Sequence, residues 1–141
     1  MIANIPQREL IIGIIEKDDS ILMRKKFQGS PPYSETWYMF GCERIPTQDD
    51  PTTLKNYLQE KIDIEVEVSK ELIEPAFEFK QDNDGIEKKF FYINLRCQYL
   101  SGVPKIPEGA EKVEWIPKSK LKNYDLVPPS VKLLKQLNYP L

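Results

Sequence analysis

The chain has 141 residues, of which 40% are hydrophobic and 30% charged, and its net charge is −2. That length suffices for a single domain, residues 1–141, with a sizeable core, and the charge offers no global attraction to nucleic acid or an anionic membrane. Histidine is absent, which excludes histidine bases, Ser-His and Cys-His dyads and His-ligated zinc.

Leu10 to Ile15 is a near-continuous apolar run, the pattern of a central strand buried on both faces. Asp18-Asp19 predicts a tight turn, and Ser20 to Arg24 a returning strand. Arg24, Lys25 and Lys26 end that strand, either as a solvated strand end or with one of them reaching a ligand phosphate. The segment from Phe27 to Glu35 holds Gly29, Pro31 and Pro32 and reads as an irregular loop. Trp37, Tyr38 and Phe40 follow as an aromatic strand.

Asp50 is the expected helix N-cap and Pro51 the first helical residue. Leu54, Leu58 and Ile62 then give one apolar stripe at four-residue spacing. Tyr57, Glu60 and Lys61 share an edge beside it. Ile64 to Val68 alternates as a half-buried strand, and Ile73 to Phe79 as another, with Pro75 forcing a bulge or edge position. Asp82-Asn83-Asp84-Gly85 is a hairpin turn into a long aromatic strand, Lys89 to Cys97. Pro128-Pro129 opens a last helix with Val131, Leu134 and Leu137 on one face. No apolar run is long enough to span a bilayer and no signal peptide precedes the first strand, so a cytoplasmic protein is expected. Cys42 and Cys97 are accordingly expected to be reduced.

The stretch from Gly41 to Val66 resembles the signature box of the Nudix family, the pyrophosphohydrolases that cut nucleoside diphosphates linked to another group. Trp37-Tyr38-Met39-Phe40-Gly41-Cys42 stands in for the strand that leads into that box, and Asp63-Ile64-Glu65-Val66 for its close. The acidic-Val-x-Trp-aliphatic-Pro strand, here Glu108 to Pro117 and ending Val113-Glu114-Trp115-Ile116-Pro117, is a second point of likeness, and the resemblance implies a short helix after it, at Ser119 to Leu121. The resemblance implies an α/β fold, an α/β/α sandwich around a mixed, partly curved sheet, with the box helix on one face and the C-terminal helix on the other.

Inside the box the carboxylates that hold divalent cations in the family are replaced. The leading Glu is Gln48, the Arg-Glu pair is Asn56-Tyr57, and the Glu-Glu pair is Glu60-Lys61. Glu60 is the one surviving box carboxylate, hence the one catalytic or metal-ligating candidate, and it would hold magnesium weakly. Lys61 would set a fixed positive charge where the family places a metal-bound Glu. Arg24, Lys26, Trp37, Phe40, Glu43, Tyr57 and Lys61 are the candidate ligand contacts.

Three functions are compatible with this pattern. The first is a small phosphate-containing ligand, of nucleoside-diphosphate type, bound with weak or no hydrolysis and no cofactor. The second is a magnesium-dependent pyrophosphohydrolase that uses carboxylates outside the box, such as Glu43, Glu108 or Glu111. The third is a protein-interaction module, with Phe77–Phe79 and Phe90–Tyr92 as its surface. A homodimer is an additional expectation; nucleic acid and membrane are not expected partners.

Overall fold

The computed structural model describes residues 4–141. Strands β1 (Gln7–Lys17), β2 (Ser20–Lys26), β3 (Trp37–Tyr38), β4 (Phe40–Glu43), β5 (Glu65–Val68), β6 (Ala76–Gln81), β7 (Glu87–Ser101) and β8 (Ala110–Pro117) form one mixed sheet, which does not close. Helix α1 (Asp50–Tyr57) follows β4, and helix α2 (Pro128–Gln136) follows β8. No helix among the described residues is long and apolar enough to cross a membrane.

β1 is the centre of the sheet, as its unbroken apolar run demands. It pairs in parallel with β7 over ten residue pairs, Gln7 with Lys89 through Glu16 with Gln98. Its other edge is shared. β2 meets β1 only beside the turn, at Glu16–Ile21 and Lys17–Ser20, and the two strands then splay apart. The chain from Trp37 to Glu43 fills the opening: β3 pairs with β2 and β4 with β1. Met39, between them, has its carbonyl taken by Arg24 Nε at 3.1 Å.

Alternation along β1 divides the core. Ile11 and Ile15 join Leu22, Phe40, Leu54, Leu58, Ile62, Ile64 and Val66 under α1. Ile14 joins Ile21, Met23, Trp37, Met39, Ile116, Leu133 and Leu134 under α2. Gly13 faces α1, where an added Cβ would lie 3.3 Å from Leu54 Cδ2, so a larger residue would press on that side chain. The expected sandwich, with one helix on each face, is the observed one.

Three local expectations need correction. The N-cap of α1 is Asp49 rather than Asp50: its carboxylate accepts from the Thr52 backbone N–H at 2.8 Å, and Pro51 stands one position deeper. Asp50 instead pairs with Arg44 at 3.0 Å. The box helix also does not run regularly to Ile62. It widens into a π turn over Leu58–Ile62, ending at Asp63 in the left-handed region with φ 63°. Leu58 and Ile62 are buried there, while Glu60 and Lys61 face solvent. Finally, β6 begins at Ala76, after Pro75, rather than at Ile73.

Candidate functional site

A cavity of about 480 Å³ opens where β1 and β2 splay apart. Its floor includes Leu10 and Ile12 of β1, Gly41 of β4, and Phe90, Tyr92 and Asn94 of β7. The wall on one side is β6, through Ala76, Glu78 and Lys80; the N-terminal turn of α2, with Pro128, Pro129 and Ser130, makes the other. The loop after β2 contributes Pro31, Pro32 and Tyr33. This loop is closed at its base, where Lys26 N–H donates to Thr36 carbonyl at 2.8 Å. Asp125 anchors its far end, accepting from the Thr36 backbone N–H and hydroxyl, each at 3.0 Å.

Two partly buried cations, Arg24 and Lys26, line this space without a carboxylate partner among the described residues; Lys132, which is exposed, is a third. Arg24 stands two residues beyond buried Leu22, on the α1 face of β2, opposite Tyr38. Its guanidinium lies 5.5 Å from the Tyr38 ring centre and 6.0 Å from that of Phe40. The Tyr57 phenol is within electrostatic reach of it. Burial lowers the Arg24 pKa, but an arginine keeps its proton across the physiological range. Lys26 sits 4.2 Å from the Tyr38 ring centre. Burial, then the charges of Arg24 and Lys80, pull its pKa from 10.5 down to about 8.

The β6 wall is a closed network. Lys80 Nζ donates to Glu78 Oε1 at 2.8 Å, to Tyr33 Oη at 2.8 Å and to Tyr92 Oη at 2.9 Å. Tyr92 Oη donates to the same Glu78 oxygen at 2.6 Å, and the Tyr33 hydroxyl donates there too. Burial favours a neutral Glu78, but the bonds from Lys80 and the two tyrosines outweigh it and hold the carboxylate below its ordinary pKa. Tyr33 and Tyr92 are pushed up, first by burial and then by bonding to Glu78. These four side chains therefore neutralise one another and tie the loop to the sheet. The Tyr38 hydroxyl, in contrast, is buried with no hydrogen-bond partner.

The residues singled out from the sequence divide into three groups. Arg24, Lys26 and Glu43 line the cavity, with Glu43 ion-paired to Arg8. Trp37 and Phe40 are core residues, 4% and 0% exposed, on opposite faces of the sheet. Tyr57 is half-buried behind Arg24, whereas Glu60 and Lys61 are exposed and lie outside the cavity lining. Tyr33, Tyr38, Glu78, Lys80, Tyr92, Asn94 and Ser130 were not candidates. The sequence of the β6 wall, Ala-Phe-Glu-Phe-Lys, shows alternation but not which face turns inward. Phe77 and Phe79 face out while Glu78 and Lys80 face in.

The donor set does not suit magnesium, which takes several oxygen ligands in an octahedron. Among the described residues no group of three or more Asp, Glu or Cys side chains converges. Gln48 accepts from the Thr53 hydroxyl at 2.8 Å, and Tyr57 faces a guanidinium rather than a second carboxylate.

No protein-family model matches the chain, and no curated protein matches it in sequence. Solved structures match it in shape. A MutT protein from Methanosarcina mazei Go1 superposes with a TM-score of 0.75 at 13% identity, covering 96% of this chain and 96% of that one. A MutT NUDIX hydrolase from Burkholderia pseudomallei gives 0.71 at 19% identity, covering 93% and 98%. A NUDIX hydrolase from Nitrosomonas europaea gives 0.69 at 13% identity, covering 96% and 93%. The fold is that of the Nudix and MutT hydrolases.

Proposed function

We propose that the chain binds a small phosphate-containing ligand of nucleoside-diphosphate type in the cavity between β6 and α2, with weak or no hydrolysis. The observation that carries this reading is the pair of cations at the cavity, Arg24 and Lys26, with no carboxylate to neutralise them. Burying an unpaired charge is expensive, and an incoming anion repays that cost. Aromatic and aliphatic walls with few polar groups suit the rest of such a ligand. Phosphate-cleaving chemistry is disfavoured because Glu60 is exposed and Glu43 is already held by Arg8. Cytoplasmic residence accords with two free cysteines, Cys97 buried and Cys42 with its pKa pushed by burial up to about 11.

The test is a panel of nucleotide sugars, dinucleotides and nucleoside di- and triphosphates with magnesium or manganese. Melting temperature reports binding and chromatography reports cleavage. The reading expects a rise in melting temperature with at least one phosphate compound and slow or no product. Cleavage at an ordinary enzymatic rate would favour the hydrolase alternative, with Glu43, Glu108 or Glu111 supplying carboxylates.

A protein-interaction role has one observation in its favour. Phe77 and Phe79, 56% and 52% exposed, pack edge-to-face at 6.0 Å on the outer side of β6. A flat melting-temperature screen together with a stable complex, homodimer or heteromer, would move the assignment to that role.

A further inference from the structure

We infer that the Arg24 guanidinium takes the part of a divalent cation in this fold, so that the ligand phosphate is held without metal. The inference rests on the proposed reading of the cavity and goes further, since a ligand pocket of this fold is expected to be read with magnesium.

Three observations carry it. The residues at the box helix do not form a cation site: Gln48 is engaged by Thr53, Tyr57 is a phenol, and Glu60 and Lys61 point to solvent. A permanent cation already stands there. Arg24 reaches from β2 to the junction between the box helix and the cavity, with Tyr57 on one side and the cavity on the other. It repels any divalent ion brought close, and its charge needs no metal to persist. Lastly, Arg24 is preorganised and unspent. Nε is fixed by the Met39 carbonyl at 3.1 Å and the plane is braced by Tyr38 and Phe40. No ion pair engages the guanidinium among the described residues, so its remaining N–H groups keep the forked geometry that matches two phosphate oxygens. Beside it, the Tyr38 hydroxyl is a buried polar group with no partner, another one left for a ligand to satisfy.

The experiment is calorimetric titration of inorganic pyrophosphate and of ADP into the full chain, in excess EDTA and again in saturating magnesium. Wild type, Arg24→Gln and Arg24→Lys are compared, with a thermal melt of each to establish folding. The expected result is binding in EDTA, within about threefold of its strength in magnesium. Arg24→Gln should weaken binding in EDTA by about tenfold or more, the loss of a charge-assisted contact. Arg24→Lys should fall between, since it keeps the charge and loses the fork. If Arg24→Gln does not fold, the lysine variant alone decides, and wild-type affinity in that variant overturns the inference. Binding that appears only with magnesium overturns it while leaving the cavity reading intact. So does binding in EDTA that ignores Arg24→Gln. If neither probe binds in either buffer, the cavity reading falls, and the inference with it.

Discussion

At the scale of single residues, the chemistry of this chain turns on charges that lack partners. Glu78, Lys80, Tyr33 and Tyr92 form a self-satisfied set, and Arg8 is spent on Glu43 and Asp82. Of the partly buried cations at the cavity, Arg24 and Lys26 are left over. Lys26 makes a pH-dependent prediction. A free lysine keeps its proton to 10.5, but this one releases it near 8. Affinity for an anionic ligand should therefore fall as pH rises through 8, and Lys26→Gln should weaken binding and abolish that step. Calorimetry from pH 7 to 9.5 measures both. The sign for ligand-free stability is opposite. Between about 8 and 10.5 the unfolded chain binds more protons than the folded one, so this group makes the fold more stable as pH rises across that window. A pH-melting series in which Lys26→Gln shows the same slope as wild type would count against the assignment. Arg24 itself was legible in the sequence only as one of three strand-end cations. Its burial depends on Tyr38 and Phe40, fourteen and sixteen positions away, which local pattern cannot reveal.

At the scale of elements, the box helix was the most legible part and also held the errors. Its stripe of Leu54, Leu58 and Ile62 is fully buried as spacing demands. Leu58→Ala should cost about 2–5 kcal/mol in unfolding free energy, the range for a truncated core leucine. The cap was misplaced by one residue because Asp49 and Asp50 are chemically identical and only geometry separates them. Chemical denaturation separates them too. Asp49→Ala removes the bond to Thr52 and should lower the denaturation midpoint clearly, whereas Asp50→Ala breaks an ion pair with exposed Arg44 and should lower it less. Equal losses would return the cap to Asp50. The π turn was not legible at all. Residues that widen a helix carry no propensity signal. In β6 the alternation of Phe77, Glu78, Phe79 and Lys80 was on view in the sequence, but which of its faces turns inward was not.

At the scale of the molecule, the sheet faces were readable and the cavity was not. Ile11 to Ile15 announces a strand covered on both sides, and two amphipathic helices supply the covers. The parallel pairing of β1 with β7 joins residues about eighty positions apart, and no turn signal encodes it. The cavity needs that pairing, the splay of β1 from β2, and the start of α2 together, so its lining residues are scattered along the chain. The most direct measurement is a map of where a phosphate ligand touches. ADP is titrated into isotope-labelled protein while backbone and arginine side-chain resonances are followed. The account predicts that shifts concentrate at Arg24, Lys26, Tyr38, Asn94 and Ser130, with Glu60 and Lys61 unmoved. Shifts centred on Glu60 and Lys61, or on the outer face at Phe77 and Phe79, or none at millimolar ADP, would contradict it.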